Sequence, residues 1–175
     1  MTDNDPVASF ERRFRRSNAY EPLDDGRFDV TTTPFDASAT VRAGDEAVSV
    51  EVIVEPPTLD AVVEGEDVAD IVEEEWYRTF VRRLADAPNV TRTDGVSEPS
   101  ADRVDDRVRV EVTFETLDPA AAVEDASALV GYVEGTWMEG VIPGYEYGEP
   151  AASLLSRASS GEHAETDGHR GGTPL

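Results

Sequence analysis

The chain has 175 residues, with 38 acidic side chains against 15 basic ones and a formal net charge of −23. That length fits one domain and can bury roughly 70% of its unfolded surface, enough for a core without disulfides or metal. Cysteine is absent, which excludes disulfides, thiolate zinc sites, iron–sulfur clusters and Cys nucleophiles, and no apolar stretch approaches the ~20 residues of a membrane span.

Asp5 followed by Pro6 is a helix start, and Val7, Phe10 and Phe14 recur at helical spacing, so a first helix buries that stripe and sets Arg12, Arg13, Arg15 and Arg16 around and opposite it. Ser17 to Gly26 reads as a loop. Three strands follow, Phe28 to Thr32, Ala37 to Ala43 and Ala47 to Glu55, the last two joined by a Gly44-Asp45 turn. In the third, Val48, Val50, Val52 and Val54 share a face, the mark of an antiparallel sheet with one wet side. Pro56-Pro57 ends that strand, and Thr58 to Gly65 reads as a short helical turn.

A long helix is expected over Asp67 to Asp86. Its apolar residues, Val68, Ile71, Val72, Trp76, Phe80, Val81 and Leu84, cover more than one stripe, so it is expected to be the best buried helix. Val90 to Thr93 reads as a weak strand and Asp94 to Asp105 as a loop. Arg107 to Glu115 is a strong strand with Val108, Val110, Val112 and Phe114 inside. Asp118-Pro119 opens another helix, with Ala126, Leu129, Val130, Val133 and Trp137 as its stripe. A Gly-Pro-aromatic segment, Gly140 to Pro150, leads to a short helix over Ala151 to Ala158. The whole reads as one α+β domain over residues 1–158, a single antiparallel sheet with helices packed on one face in the order αβββαββα, and a disordered polar tail over residues 159–175.

All basic residues are Arg; Lys and Gln do not occur. The acids are spread along well-patterned elements, so this is not the composition of an acidic tail. Self-repulsion of this size destabilises a compact state in dilute buffer, and at molar salt the screening length shrinks to about 3 Å and removes it. The composition implies an extremely halophilic setting. In such salt counterion release drives nucleic-acid binding weakly, so net charge neither supports nor excludes that partner. The pairs Arg12-Arg13 and Arg15-Arg16 are followed by the polar Ser17 to Pro22 rather than by the apolar segment of an export signal, and a cytoplasmic location is expected.

No catalytic constellation, metal site or cofactor motif stands out. Both histidines, His163 and His169, fall in the polar tail, which cannot hold a base against a nucleophile. Asp67, Asp70 and Glu74, and Asp102, Asp105 and Asp106, are read as solvated surface. The candidate binding residues are of two kinds. Arg12, Arg13, Arg15 and Arg16 either pair with the acidic bulk of their own domain or grip an anion or partner. Trp137, Tyr145 and Tyr147 belong to the run WMEGVIPGYEYGEP, which either folds back as core cover or offers aromatic contact area to a partner or a base.

The runs FERRFRR, FDVTTTPFDA, EEEWYRTFVRRL and VIPGYEYGEP together resemble an uncharacterised haloarchaeal family of small acidic proteins, known only as a domain of unknown function, over about Asp5 to Pro150. The resemblance implies a haloarchaeal source and carries no activity or catalytic residue. In topology alone the expected order is also similar to the type III secretion chaperone-like fold, whose members are mostly dimeric, non-enzymatic protein binders. These observations favour a non-enzymatic interaction module that binds a protein partner or a second copy. The alternatives are an enzyme or small-ligand binder with an Arg/carboxylate pocket, and RNA or single-stranded DNA binding through the aromatic segment and the Arg-rich helix.

Overall fold

The computed structural model describes residues 5–167, with side chains described through Ser160. Helix α1 (Pro6–Arg16) starts as read, Asp5 accepting from the Val7 amide, and buries Phe10 and Phe14. Strands β1 (Tyr20–Pro22), β2 (Arg27–Val30), β3 (Asp36–Ala43) and β4 (Val48–Glu55) follow. The short helix α2 (Leu59–Val62) and strand β5 (Val63–Glu64) lead to α3 (Asp70–Leu84). Strands β6 (Ser100–Val104) and β7 (Arg107–Thr116), the long helix α4 (Pro119–Glu139), β8 (Glu146–Tyr147) and α5 (Ala151–Asp167) complete the fold.

The α+β architecture is the expected one. Six antiparallel strands form a sheet in the order β1-β2-β3-β4-β7-β6, and β5 and β8 make a separate two-stranded ribbon. The central register sets Val50 opposite Phe114, Val52 opposite Val112 and Val54 opposite Val110. These side chains and Ala37, Ala39 and Val41 of β3 are all buried, since a period of two turns the whole apolar set toward one face. Helices α1 and α4 lie on that face, and α3 packs beside α4. The opposite face carries a ladder of charges: Arg109 pairs with Glu55 at 3.4 Å and with Glu111 at 3.8 Å, and Arg107 reaches Asp36 and Glu55. Burial, and then a hydrogen bond with and the charge of Glu51, raise the Glu111 carboxyl above the ordinary glutamate range; Arg109 opposes them.

Four local readings are corrected. The supposed loop after α1 contains β1, an edge strand whose one buried residue, Tyr20, binds Ser127 of α4 through its hydroxyl at 2.8 Å. The expected strand at Val90 to Thr93 is instead a 3-10 turn, Ala87–Val90, followed by a segment fixed on the buried Asp125 of α4. That carboxylate accepts from the Arg92 and Thr93 amides at 2.9 and 3.0 Å and from the Thr93 hydroxyl. The outer strand β6 lies inside what reads as a loop. It has no apolar face of its own, and its pairing comes from β7 across a turn in which Asp105 takes a positive φ of 56°. Finally, α4 rather than α3 is the best buried helix: eight of its residues are buried against three of α3, Trp76, Phe80 and Leu84.

Helix α5 begins at Ala151 as read and continues to Asp167; the rest of the tail, residues 168–175, lies outside the described residues. His169 and the His163 side chain are likewise outside them.

Candidate functional site

Trp137 belongs to the core. It is 1% exposed, packs edge-on against Phe35 at 5.3 Å, and donates its indole N–H to the Pro57 carbonyl at 2.8 Å. Tyr145 and Tyr147 are half-buried against the core and meet edge-to-face at 6.5 Å. The Tyr147 hydroxyl accepts from the Ile142 amide at 2.9 Å and donates to the Ile142 carbonyl at 2.7 Å, closing the segment on itself. Burial raises the Tyr147 pKa above its ordinary value, against the lowering effect of that Ile142 contact. The pairing of β8 with β5 fixes the same segment from the other side. The core-cover reading therefore describes Trp137 fully and Tyr147 in large part.

Arg12, Arg13, Arg15 and Arg16 are all exposed, and none forms an ion pair with another described residue. Arg12, Arg13 and Arg16 line a shallow concavity of about 310 Å³ with Ser9 and the start of α4 at Asp118 to Ala120. Among the described residues, none of the five best-formed concavities is lined by both these arginines and the aromatic Trp137, Tyr145 and Tyr147. Elsewhere an Arg/carboxylate hollow of about 270 Å³ holds Arg107 among Asp36, Glu55 and Asp106, where its charge is already matched. Among the described residues no group of three or more His, Asp or Glu side chains is gathered as a metal site requires.

A third hollow involves neither set of candidates. It is a groove of about 440 Å³ between α3 and the segment that leaves α4. Ile71, Val72 and Trp76 form one wall and Val141, Ile142 and Pro143 the other, with Glu75, Thr79, Arg83 and Glu139 along the rim. Ile71 is 75% exposed at the lip. Ile71, Glu75, Thr79 and Arg83 succeed one another at i, i+4 along one edge of α3. Arg83 approaches Glu139 across the rim at 4.0 Å, and the Tyr132 hydroxyl of α4 donates to the Arg83 carbonyl at 2.7 Å, holding the two helices together. Trp76 stacks on Phe80 with centroids 5.5 Å apart.

Gly140, the C-cap of α4, lets the backbone leaving that helix pass close to Trp76. A Cβ there would stand 2.9 Å from Nε1 and 3.3 Å from Cδ1 of Trp76, so any larger residue would collide with the indole. Of the groove residues, Ile71, Val72 and Trp76 are expected from sequence as buried positions of α3. The surplus of apolar positions on α3 beyond a single stripe is the sequence signal that marks them.

Fold and site define an α+β domain whose helical layer carries an open apolar groove. Residues 15–157 match the family described as "Family of unknown function (DUF5813)", and the chain belongs to it. No curated protein and no solved structure matches the chain.

Proposed function

We propose that this protein is a non-enzymatic interaction module that receives a segment of a protein partner, or of a second copy, in the α3–α4 groove. The observation that carries the reading is the groove itself, an apolar hollow with an isoleucine 75% exposed at its lip. Large apolar side chains grouped around a concavity mark binding surfaces, whereas single scattered ones are ordinary. The aromatic segment contributes by shaping one wall through Ile142 and Pro143 rather than by presenting Tyr145 and Tyr147. With the Tyr147 hydroxyl already engaged by Ile142, that group has no hydrogen bond to spare for a partner. The self-paired Arg107 hollow likewise offers little to a small anionic ligand.

The test is an affinity capture at molar KCl with the wild type beside Ile71→Arg, together with light scattering on each. A partner or dimer present with the wild type and lost with Ile71→Arg supports the reading. A wild-type monomer that retains nothing, or a partner retained equally by both, overturns it.

The same proposal places the protein in the cytoplasm of an extreme halophile, on the strength of its Arg-only basic residues and net charge of −23. Among the described residues no helix is long and apolar enough to cross a membrane. On this reading the domain loses far-UV circular dichroism when KCl is dialysed to low millimolar levels; an unchanged spectrum contradicts it.

A further inference from the structure

The two tryptophans differ in one respect. Trp137 has its N–H satisfied by Pro57. Trp76 is 5% exposed, and no described residue accepts from its N–H; since no fully covered side-chain nitrogen among the described residues lacks a partner, this N–H keeps a path to solvent. Its Nε1 lies beside Gly140, which lines the groove. Buried indole N–H groups are normally paired, and leaving one unpaired in apolar surroundings is costly. Whatever fills the groove and displaces water from it must therefore bring an acceptor.

Resting on the interaction-module reading, we infer that the occupant is a peptide segment whose main-chain carbonyl accepts from Trp76 Nε1. Beside that carbonyl an apolar side chain seats on Ile71, Val72 and Ile142, and the flanking residues are neutral or basic. A carbonyl fits better than a carboxylate because a neutral acceptor costs far less to desolvate in an apolar site. The lip also disfavours anions: Glu75 and Glu139 line it against the single Arg83, and Asp70 adjoins Ile71. A peptide fits better than an isolated small apolar molecule, which would leave the indole N–H without a partner.

The experiment is a selection from a displayed library of random twelve-residue peptides on the full chain at molar KCl. The most enriched peptide is then synthesised and titrated into wild type, Trp76→Phe and Ile71→Arg, each first checked by far-UV circular dichroism. Trp76→Phe keeps a ring to stack on Phe80 and removes only the donor and part of the area. The expected result is a shift of the Trp76 indole proton in the NMR spectrum on binding, a weakening of about fivefold to tenfold in Trp76→Phe, and loss of binding in Ile71→Arg. Replacing the basic or neutral flanks by Glu weakens binding further. Peptides lost with Ile71→Arg but bound equally by Trp76→Phe, with no indole shift, overturn the carbonyl inference and leave the groove reading standing. Peptides indifferent to both variants overturn both. A library that yields no binder overturns the peptide inference alone, and the affinity capture then decides the broader reading.

Discussion

Helices α3 and α4 lie side by side and use their apolar residues in opposite ways. Helix α4 spends them on the sheet and its neighbours: Leu129, Val130, Val133 and Trp137 are all buried, and even its Asp125 and Thr136 are covered. Helix α3 buries Trp76, Phe80 and Leu84 but leaves Ile71 in solvent and Val72 half-covered. An apolar surplus around a helix thus does not measure how deeply it is buried. On α3 it records two faces, one turned to the core and one to the groove.

The largest expected effect lies on the α4 side. Leu129→Ala, at a fully buried position, costs about 2–5 kcal/mol in denaturant unfolding, whereas Ile71→Ala stays within about 0.5 kcal/mol. Equal losses at the two positions would dissolve the contrast between the helices. Next comes Asp125→Ala, which strands the Arg92 and Thr93 amides it now satisfies and costs about 1–3 kcal/mol; hydrogen exchange at those two amides should rise with it. Tyr147→Phe removes both contacts to Ile142 and costs about 1 kcal/mol. Its sharper readout is the groove wall, because Ile142 amide exchange should accelerate while α4 stays protected.

The smallest effect is on the wet face of the sheet. Glu111 has its pKa raised, by burial first and then by Glu51, so its folded state favours the protonated form. Its contribution to stability is fully present below the unfolded pKa and is lost as pH rises through the folded one, a window just above the ordinary glutamate range. Glu111→Gln should flatten the stability–pH curve in that window and change stability at neutral pH by about 0.5 kcal/mol or less, since solvent still screens this half-buried site. An unaltered curve would remove Glu111 from the account.

What the sequence made legible follows from where the information is local. Alternation in Val48 to Val54 and Val108 to Phe114 marks core strands, and Asp5-Pro6 and Asp118-Pro119 mark helix starts, because each signal resides in the segment itself. Strands β1 and β6 escaped because their partners create them: Tyr20 and Val104 say little until β2 and β7 lie alongside. Asp125 was one carboxylate among 38 acidic residues, and only the fold shows that it anchors a turn some thirty residues earlier in the chain. The groove was half-visible. Its α3 wall showed as excess hydrophobicity, but the approach of Gly140 to Trp76 joins residues too far apart in sequence for any periodicity to connect.

The two outermost strands limit how copies of this protein can meet. One is only three residues long and ends in Pro22, which has no amide to donate; the other carries the exposed Asp102 and is tied to α3, Arg103 pairing with Glu74 at 2.7 Å and the Ala101 carbonyl accepting from the Tyr77 hydroxyl at 2.8 Å. Charges and proline on an exposed strand are how proteins discourage sheet-to-sheet annealing. Both open flanks of the sheet are therefore poor templates for growth by strand addition.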